Sequence, residues 1–269
     1  MRAICPLHKL AYEAHSRQTK NRLRGVIKAL TIDLYGGQDP REVPAYTIPD
    51  AAHLAGVPEP TLRSWVSGRS YPTHQGSGYF APLLERPEIS SPLLSFINVI
   101  EAHVLAAIRR SHGVPIRNVR PALDYVREHF NSSHPLAERI FETDGVDLFA
   151  RQFGEVINAS KGGQMAIRDF IEAHLARIEH DSQGQAIKLF PFVRRRDDIM
   201  IEEIKEEPKF IMVDPRISFG RPVLHGSGIP TAAIADRFQG GESIISIARD
   251  YDRKQKEIEG ALRYEHRAA

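Results

Sequence analysis

Several hydrogen-bonding side chains recur at helical spacing near the middle of the N-terminal half. Thr61, Arg63, Ser64 and Ser67 would share the outer side of one short helix, and Arg69 follows directly. Hydroxyl and guanidinium groups suit base edges in the major groove and phosphate oxygens on the backbone. The pattern predicts a nucleic-acid-binding surface, with Thr61, Arg63 and Ser64 on bases and Arg69 on the backbone.

Residues 46–73 predict the two helices that would position these side chains. Pro49 and Asp50 suit a first helical turn, and Gly56 ends that helix. A second helix would begin at Pro60 or Thr61, bury Trp65 and end at Gly68. Small residues in one helix, a glycine turn and one large aromatic anchor allow a close, steep crossing, which is the helix-turn-helix arrangement. The alternative is an ordinary helical hairpin with a solvated polar face.

Residues 73–84 predict a hairpin directly after this helix pair, in the position of a wing. The turn is expected at Gly76-Ser77-Gly78, and Pro82 would confine the second strand to an edge. His74 and Gln75 at the tip, and the ring of Tyr71 or Tyr79, would reach the sugar-phosphate backbone; these contacts complete the expected DNA-binding set.

Composition is that of an ordinary globular protein of 269 residues, with 42% apolar and 26% charged residues. No apolar run is long enough to span a bilayer, no signal peptide is evident, and Cys5 stands alone, so we expect a cytoplasmic protein. The net charge is +2, but residues 1–120 carry 15 basic against 9 acidic residues. The half that holds the helix pair is therefore the one suited to attract phosphates.

Two helices and a small mixed unit are predicted after the wing. Residues 95–111 are apolar on more than one face, so we expect this helix to pack on the wing domain and on a second copy of the chain. A second helix should run from about residue 116 to 130. Asp144-Gly145 predicts a hairpin over residues 140–150, followed by a helix over 163–179 and a strand over 186–193.

The sequence gives little support for an enzyme or a metal protein. Cys5-x-x-His8 is half of a metal motif without a second half nearby. Residues 194–209 mix five basic with six acidic residues, which is typical of a solvated linker. Since no nucleophile-base set or metal-ligand spacing occurs, we expect no catalytic residues, no metal and no cofactor.

The last sixty residues predict a short strand, a glycine-rich passage and three short helices. The helices would start at Thr231, near Glu242 and at Asp252, where Asp252 and Gln255 resemble a capping box. Taken together, the expected fold class is mainly α with small β elements (α+β). The expected segments are a basic leader (1–32), a winged helix-turn-helix with following helices (33–135), a mixed α/β unit (136–193), a charged linker (194–209) and a tri-helical module (210–269).

Residues 213–265 resemble a small tri-helical domain of unknown function that occurs in bacterial antitoxins. The resemblance is carried by five short motifs: Asp214-Pro215-Arg216, Gly220-Arg221-Pro222, Gly228-Ile229-Pro230, Gly241-Glu242-Ser243 and Ala261-Leu262-Arg263-Tyr264. Residues 46–130 resemble, more loosely, the winged helix-turn-helix of the MerR class, although the wing tip lacks an arginine and the long effector-sensing coiled coil is missing. Together the two regions resemble the larger VapB-type antitoxins.

This resemblance implies a dimeric DNA-binding antitoxin that represses its own operon and blocks a PIN-domain ribonuclease toxin. The region after residue 130 would hold the toxin, and charge complementarity suggests Arg194, Arg195 and Arg196 as its contacts. The alternative is a stand-alone transcription factor whose middle unit binds a small ligand or a protein.

Overall fold

Helices make up most of the computed structural model, which describes residues 35–74, 76–112, 119–156, 161–193 and 201–266. The helices are α1 Ile48–Ala55, α2 Glu59–Ser67, α3 Phe96–His112, α4 Val119–Phe130, α5 Val146–Val156, α6 Lys161–Leu175, α7 Ile201–Glu206, α8 Thr231–Gln239, α9 Ile244–Asp250 and α10 Gln255–His266. Three antiparallel strand pairs accompany them: β1 Arg69–Thr73 with β2 Gly76–Phe80, β3 Ile178–His180 with β4 Ala186–Leu189, and β5 Ile211–Met212 with β6 Val223–Leu224. The predicted fold class is confirmed. The basic leader lies outside the described residues.

The helix-turn-helix forms where the sequence predicts it. Thr47 caps α1 by accepting a hydrogen bond from the Asp50 N–H, and Gly56 ends the helix in the left-handed conformation at φ 68°. The α2 helix ends at Gly68, which also has a positive φ, of 70°. Both glycines therefore stand where the backbone disfavours a side chain.

The α3 helix is the centre of the apolar core. Its described side chains from Phe96 to Ile108 are buried without exception. It packs against α1, α6 and the 3₁₀ turn Pro135–Ala137, all of which belong to the same chain. The breadth of its apolar surface thus has an intrachain explanation, and the inference of a second copy from this helix is wrong.

Residues 140–150 are helical, which contradicts the predicted hairpin. A π-helical turn, Phe141–Gly145, leads directly into α5. Gly145 does not adopt a positive φ, and a Cβ atom there would lie 2.5 Å from the Phe141 ring. The missing side chain thus makes room for Phe141, which meets Phe149 in the core with ring centroids 6.2 Å apart. Packing of these two rings outweighs the turn propensity of Asp144-Gly145.

The predicted linker is only partly described, because residues 194–200 lie outside the described part of the chain. The chain after this gap forms α7, and Ile204 of that helix is buried against Ala173 and Phe192. The Arg177 guanidinium donates to the backbone carbonyls of Phe190, Pro191, Glu207 and Pro208. Residues 201–208 are therefore packed against the middle unit, whereas the sequence predicts a solvated linker over this stretch.

The tri-helical C-terminal module has the predicted helices with one different cap. Asp252 has a φ of 51° and lies before α10, which begins three residues later. The Lys254 N–H donates instead to the Glu257 carboxylate at 2.8 Å. The capping pair is thus Lys254 with Glu257, and the prediction of Asp252 with Gln255 is wrong.

A single apolar cluster joins the winged domain, the middle unit and the C-terminal module within residues 40–269. The Tyr46 hydroxyl donates to the Gly220 carbonyl at 3.2 Å, and the buried Tyr264 ring lies 4.3 Å from the His53 ring of α1. The C-terminal module is therefore in contact with the first helix of the helix-turn-helix. The boundaries proposed from sequence stay predictions.

Candidate nucleic-acid interface

The predicted DNA-reading side of α2 faces solvent. Arg63 and Ser67 are exposed, while Thr61 and Ser64 are half-buried, and none of the four is in the core. On the opposite side Leu62, Trp65 and Val66 are buried. This two-sided division is the one a recognition helix needs, because its inner side must hold the helix while its outer side enters a groove.

The C-terminal end of α2 is fixed from behind. The Trp65 side chain is fully buried, and its backbone carbonyl accepts hydrogen bonds from the Leu83 and Leu84 N–H groups at 2.7 and 3.1 Å. These bonds connect the end of the helix to the chain that leaves the wing. The orientation of α2 and the position of the wing are therefore coupled through Trp65.

The wing begins earlier than predicted. Strand β1 starts at Arg69, immediately after Gly68, and Thr73 pairs with Gly76, so the chain turns at His74 and not at Gly76-Ser77-Gly78. His74 is exposed at this turn, whereas Gln75 lies outside the described residues. Arg69 and Tyr71 are exposed on β1, on the chain continuing from α2.

Two tyrosines shape the wing. The Tyr71 ring packs over Gly78 on the paired strand, where a Cβ atom would lie 2.7 Å from the ring. The Tyr79 hydroxyl donates to the Ser67 carbonyl at 3.3 Å and closes over Gly68. Tyr79 thus connects the second wing strand to the last residue of α2, and no sequence pattern distinguishes it from Tyr71 for this role.

Two arginines of α4 hold the segment after the wing, and the sequence analysis missed both. Arg120 lies over the Phe80 ring, 5.7 Å from its centroid, and donates to the Ala81 and Pro82 carbonyls. Arg127 donates to the Leu83 carbonyl at 2.9 Å. Their partners are backbone carbonyls some forty residues away, so no local spacing in the sequence could have identified them.

The outer side of α2 carries one acidic and one basic side chain. Arg63 forms an ion pair with Glu59, and the two side chains are 59% and 43% exposed. Glu59 was not among the predicted site residues. Its i, i+4 spacing to Arg63 is the signal that could have found it.

A buried polar cluster lies at the start of α3 and supports the domain. Asn98 donates to the Glu85 carbonyl at 2.8 Å, and the fully buried Glu101 carboxylate lies 3.1 Å from the His134 ring. The hydrogen bond with Glu101 raises the pKa of His134 above its ordinary value of 6.5, against the opposing effect of burial. This cluster links α3 to the segments before and after it.

Other kinds of site find no support in the described part of the chain. Within it, no group of three or more His, Cys, Asp or Glu side chains could hold a metal ion. Nor does any helix there have the length and apolar character needed to cross a membrane. Arg194, Arg195 and Arg196, proposed from sequence as toxin contacts, lie outside the described residues.

Comparison with known families defines the class of protein. Residues 44–123 match the family described as "Putative DNA-binding HTH domain", and residues 211–264 match the "Protein of unknown function (DUF433)" family. The chain thus combines an N-terminal helix-turn-helix domain of the DNA-binding kind with a C-terminal domain of unknown function. The predicted helix-turn-helix and the predicted C-terminal domain of unknown function are confirmed, whereas the MerR-like character stays a prediction.

The chain is also similar over most of its length to two curated proteins of Mycobacterium tuberculosis. It is 29% identical to "Putative antitoxin VapB45" over 82% of this chain and 93% of the relative. It is 27% identical to "Uncharacterized protein Rv2308" over 83% and 90%. The crystal structure of Rv2018 from the same organism superimposes with a TM-score of 0.57 at 25% identity and covers 82% of this chain and 97% of that one. The predicted resemblance to a VapB-type antitoxin is therefore confirmed.

Proposed function

We propose that this protein is a cytoplasmic, dimeric DNA-binding antitoxin that represses its own operon and neutralises a PIN-domain ribonuclease toxin. The observation that carries the DNA-binding part is the exposed outer side of α2, beside a wing that is fixed to the same helix. Thr61, Arg63 and Ser64 would read bases in the major groove, while Arg69 and Tyr71 would hold the backbone. Ser67, His74 and Gln75 would complete the surface. No catalytic step and no cofactor are part of this function.

The antitoxin part of the proposal is supported by the similarity to "Putative antitoxin VapB45". A dimer would place two α2 helices on successive half-sites of a palindromic operator, about one helical turn apart. The surface that joins two copies must lie outside the described part of α3, because those side chains are covered within the chain. The same proposal includes that the winged helix-turn-helix is of the MerR class.

DNA binding is tested by titrating the full-length protein on the duplex upstream of its own gene. Arg63→Ala should weaken binding by about 1–3 kcal/mol if Arg63 reads a guanine. The matched control is Arg263→Ala, because Arg263 also forms an exposed i, i+4 pair, with Glu259, on α10. Equal loss in both variants, or no loss in either, contradicts the assigned role of Arg63. The logarithm of the binding constant should also fall linearly with the logarithm of the salt concentration, with a slope that corresponds to the release of several counterions.

Toxin binding is tested by co-expression with the neighbouring reading frame. An antitoxin should remain bound to a PIN-domain partner through gel filtration and inhibit its ribonuclease activity, whereas a stand-alone transcription factor should elute by itself. Changing Arg194, Arg195 and Arg196 together to glutamate should abolish inhibition if they bind an acidic ribonuclease pocket. Unchanged inhibition would assign toxin binding to another segment.

A further inference from the structure

Glu59 is an unexpected residue to find on a DNA-facing helix. It is the only acidic residue between positions 59 and 80, a stretch that includes α2 and the whole wing and has Arg63 and Arg69 as its only Arg or Lys residues. A carboxylate on this surface repels phosphates on every DNA sequence alike. Its presence therefore lowers general DNA affinity and needs a reason.

Stability of the fold supplies only a small part of that reason, because an exposed carboxylate in the first turn of a helix stabilises that helix only slightly. The Glu59–Arg63 pair is exposed on both sides, and exposed i, i+4 pairs add little to helix stability. Neither side chain contributes to the core. The pair can consequently exchange its partners for groups on a ligand at small cost.

The position of Glu59 on α2 suggests what the ligand group is. Glu59 is the first residue of the helix, and the N-terminal residues of a recognition helix are those that reach base edges. In the major groove the cytosine N4 amino group is the donor that Glu and Asp accept from. A carboxylate at this position therefore favours cytosine and disfavours the other three bases.

The contact with Arg63 extends this specificity to a second base. One guanidinium nitrogen, Nη2, lies against the Glu59 carboxylate. Because Nη2 carries two hydrogens, its second hydrogen can still form a fork with the neighbouring Nη1 or Nε donor. Guanine O6 and N7 form the usual bidentate partner of such a fork. Glu59 would thus orient Arg63 toward a guanine while itself accepting from a neighbouring cytosine.

We propose that Glu59 is a specificity-determining residue of the DNA interface, which selects a cytosine next to the guanine that Arg63 reads. This inference rests on the proposed DNA-binding function and adds a base preference to it.

The experiment is a selection from a randomised duplex DNA library by the full-length protein, followed by competition titrations on the selected duplex with each base at the selected cytosine. Three proteins are compared: wild type, Glu59→Gln and Glu88→Gln. Glu88 is exposed in the loop between β2 and α3, so Glu88→Gln removes the same charge away from α2. Thermal unfolding checks that all three proteins fold alike.

Wild type should prefer cytosine at this position by roughly 5- to 100-fold, the usual range for one base pair. Glu59→Gln should lose that preference and shift it toward adenine, because a glutamine amide pairs with adenine N6 and N7. The preference for the neighbouring guanine should persist, and Glu88→Gln should match wild type throughout.

Two results would overturn the inference in distinguishable ways. If Glu59→Gln binds every sequence more tightly by one common factor, with unchanged base preferences, Glu59 acts only through its charge, while DNA binding itself stands. If wild type enriches no sequence and binds no duplex, the proposed function fails together with the inference.

Discussion

Gly68 joins the recognition helix to the wing, and replacing it with alanine should be unusually damaging. Its backbone has φ 70° and ψ −180°, a combination that only glycine adopts readily. An added Cβ atom would also lie 2.6 Å from the Phe80 backbone carbonyl oxygen and 2.5 Å from the Tyr79 hydroxyl. Backbone strain and overlap with a fixed backbone atom therefore act together at this position.

A second glycine provides a reference in which strain acts without overlap. Gly226 has φ 74°, close to that of Gly68, but an added Cβ atom there would meet nothing within 4 Å. Gly226→Ala should therefore lower the free energy of unfolding by about 1–2 kcal/mol, from strain alone. Gly68→Ala should lower it by about 2–6 kcal/mol, because strain of about 1–3 kcal/mol at this φ and ψ adds to overlap of about 1–3 kcal/mol.

The assay is equilibrium unfolding in urea, with the two variants and wild type measured side by side. Gly68→Ala should also weaken binding to the upstream duplex, because the wing must shift to admit the methyl group, whereas Gly226→Ala should not. If Gly68→Ala is no more destabilising than Gly226→Ala, the coupling of α2 to the wing through Gly68 has been misread.

Three further outcomes follow from other side-chain hydrogen bonds in the fold. Because Glu101 raises the pKa of His134 above 6.5, their interaction should stabilise the fold fully at low pH and lose this effect as pH rises through the folded-state pKa of His134. Glu101→Gln should therefore flatten the pH dependence of the free energy of unfolding, measured by unfolding titrations between about pH 6 and 8. Arg177→Met should cost at least about 3 kcal/mol in urea unfolding, because four backbone carbonyls, three of them in buried hydrogen bonds, lose their donor. Arg177→Lys should restore part of this loss. Tyr79→Phe should cost less than about 1 kcal/mol yet speed amide hydrogen exchange in β2, because the bond to the Ser67 carbonyl is lost.

Local signals were sufficient for the helix-turn-helix. Gly56 and Gly68 end their helices as predicted, and Trp65 is the buried anchor. The C-terminal helices were also found, since their apolar spacing and short loops are local properties. Here the same residues that predict each element also stabilise it.

Predictions failed where distant packing decides the structure. Asp144-Gly145 has the composition of a turn, but the rings of Phe141 and Phe149 keep it helical. The apolar breadth of α3 indicated burial correctly, yet it could not show that the covering surface belongs to the same chain. At the site, the outer side of α2 was predicted. The hydrogen bonds from Arg120 were not, because no sequence pattern identifies the Ala81 and Pro82 carbonyls as its partners.

The contacts that Tyr46 and His53 make with the C-terminal module bear on what proteolytic truncation would do to the rest of the chain. Removing the last sixty residues would uncover apolar surface on α1, the helix that packs against α2, including the place now filled by Tyr264. Proteolytic trimming of the tail would therefore not release a working DNA-reading fragment. Cleavage before the C-terminal module should instead destabilise the helix-turn-helix as well, because the two parts share these contacts.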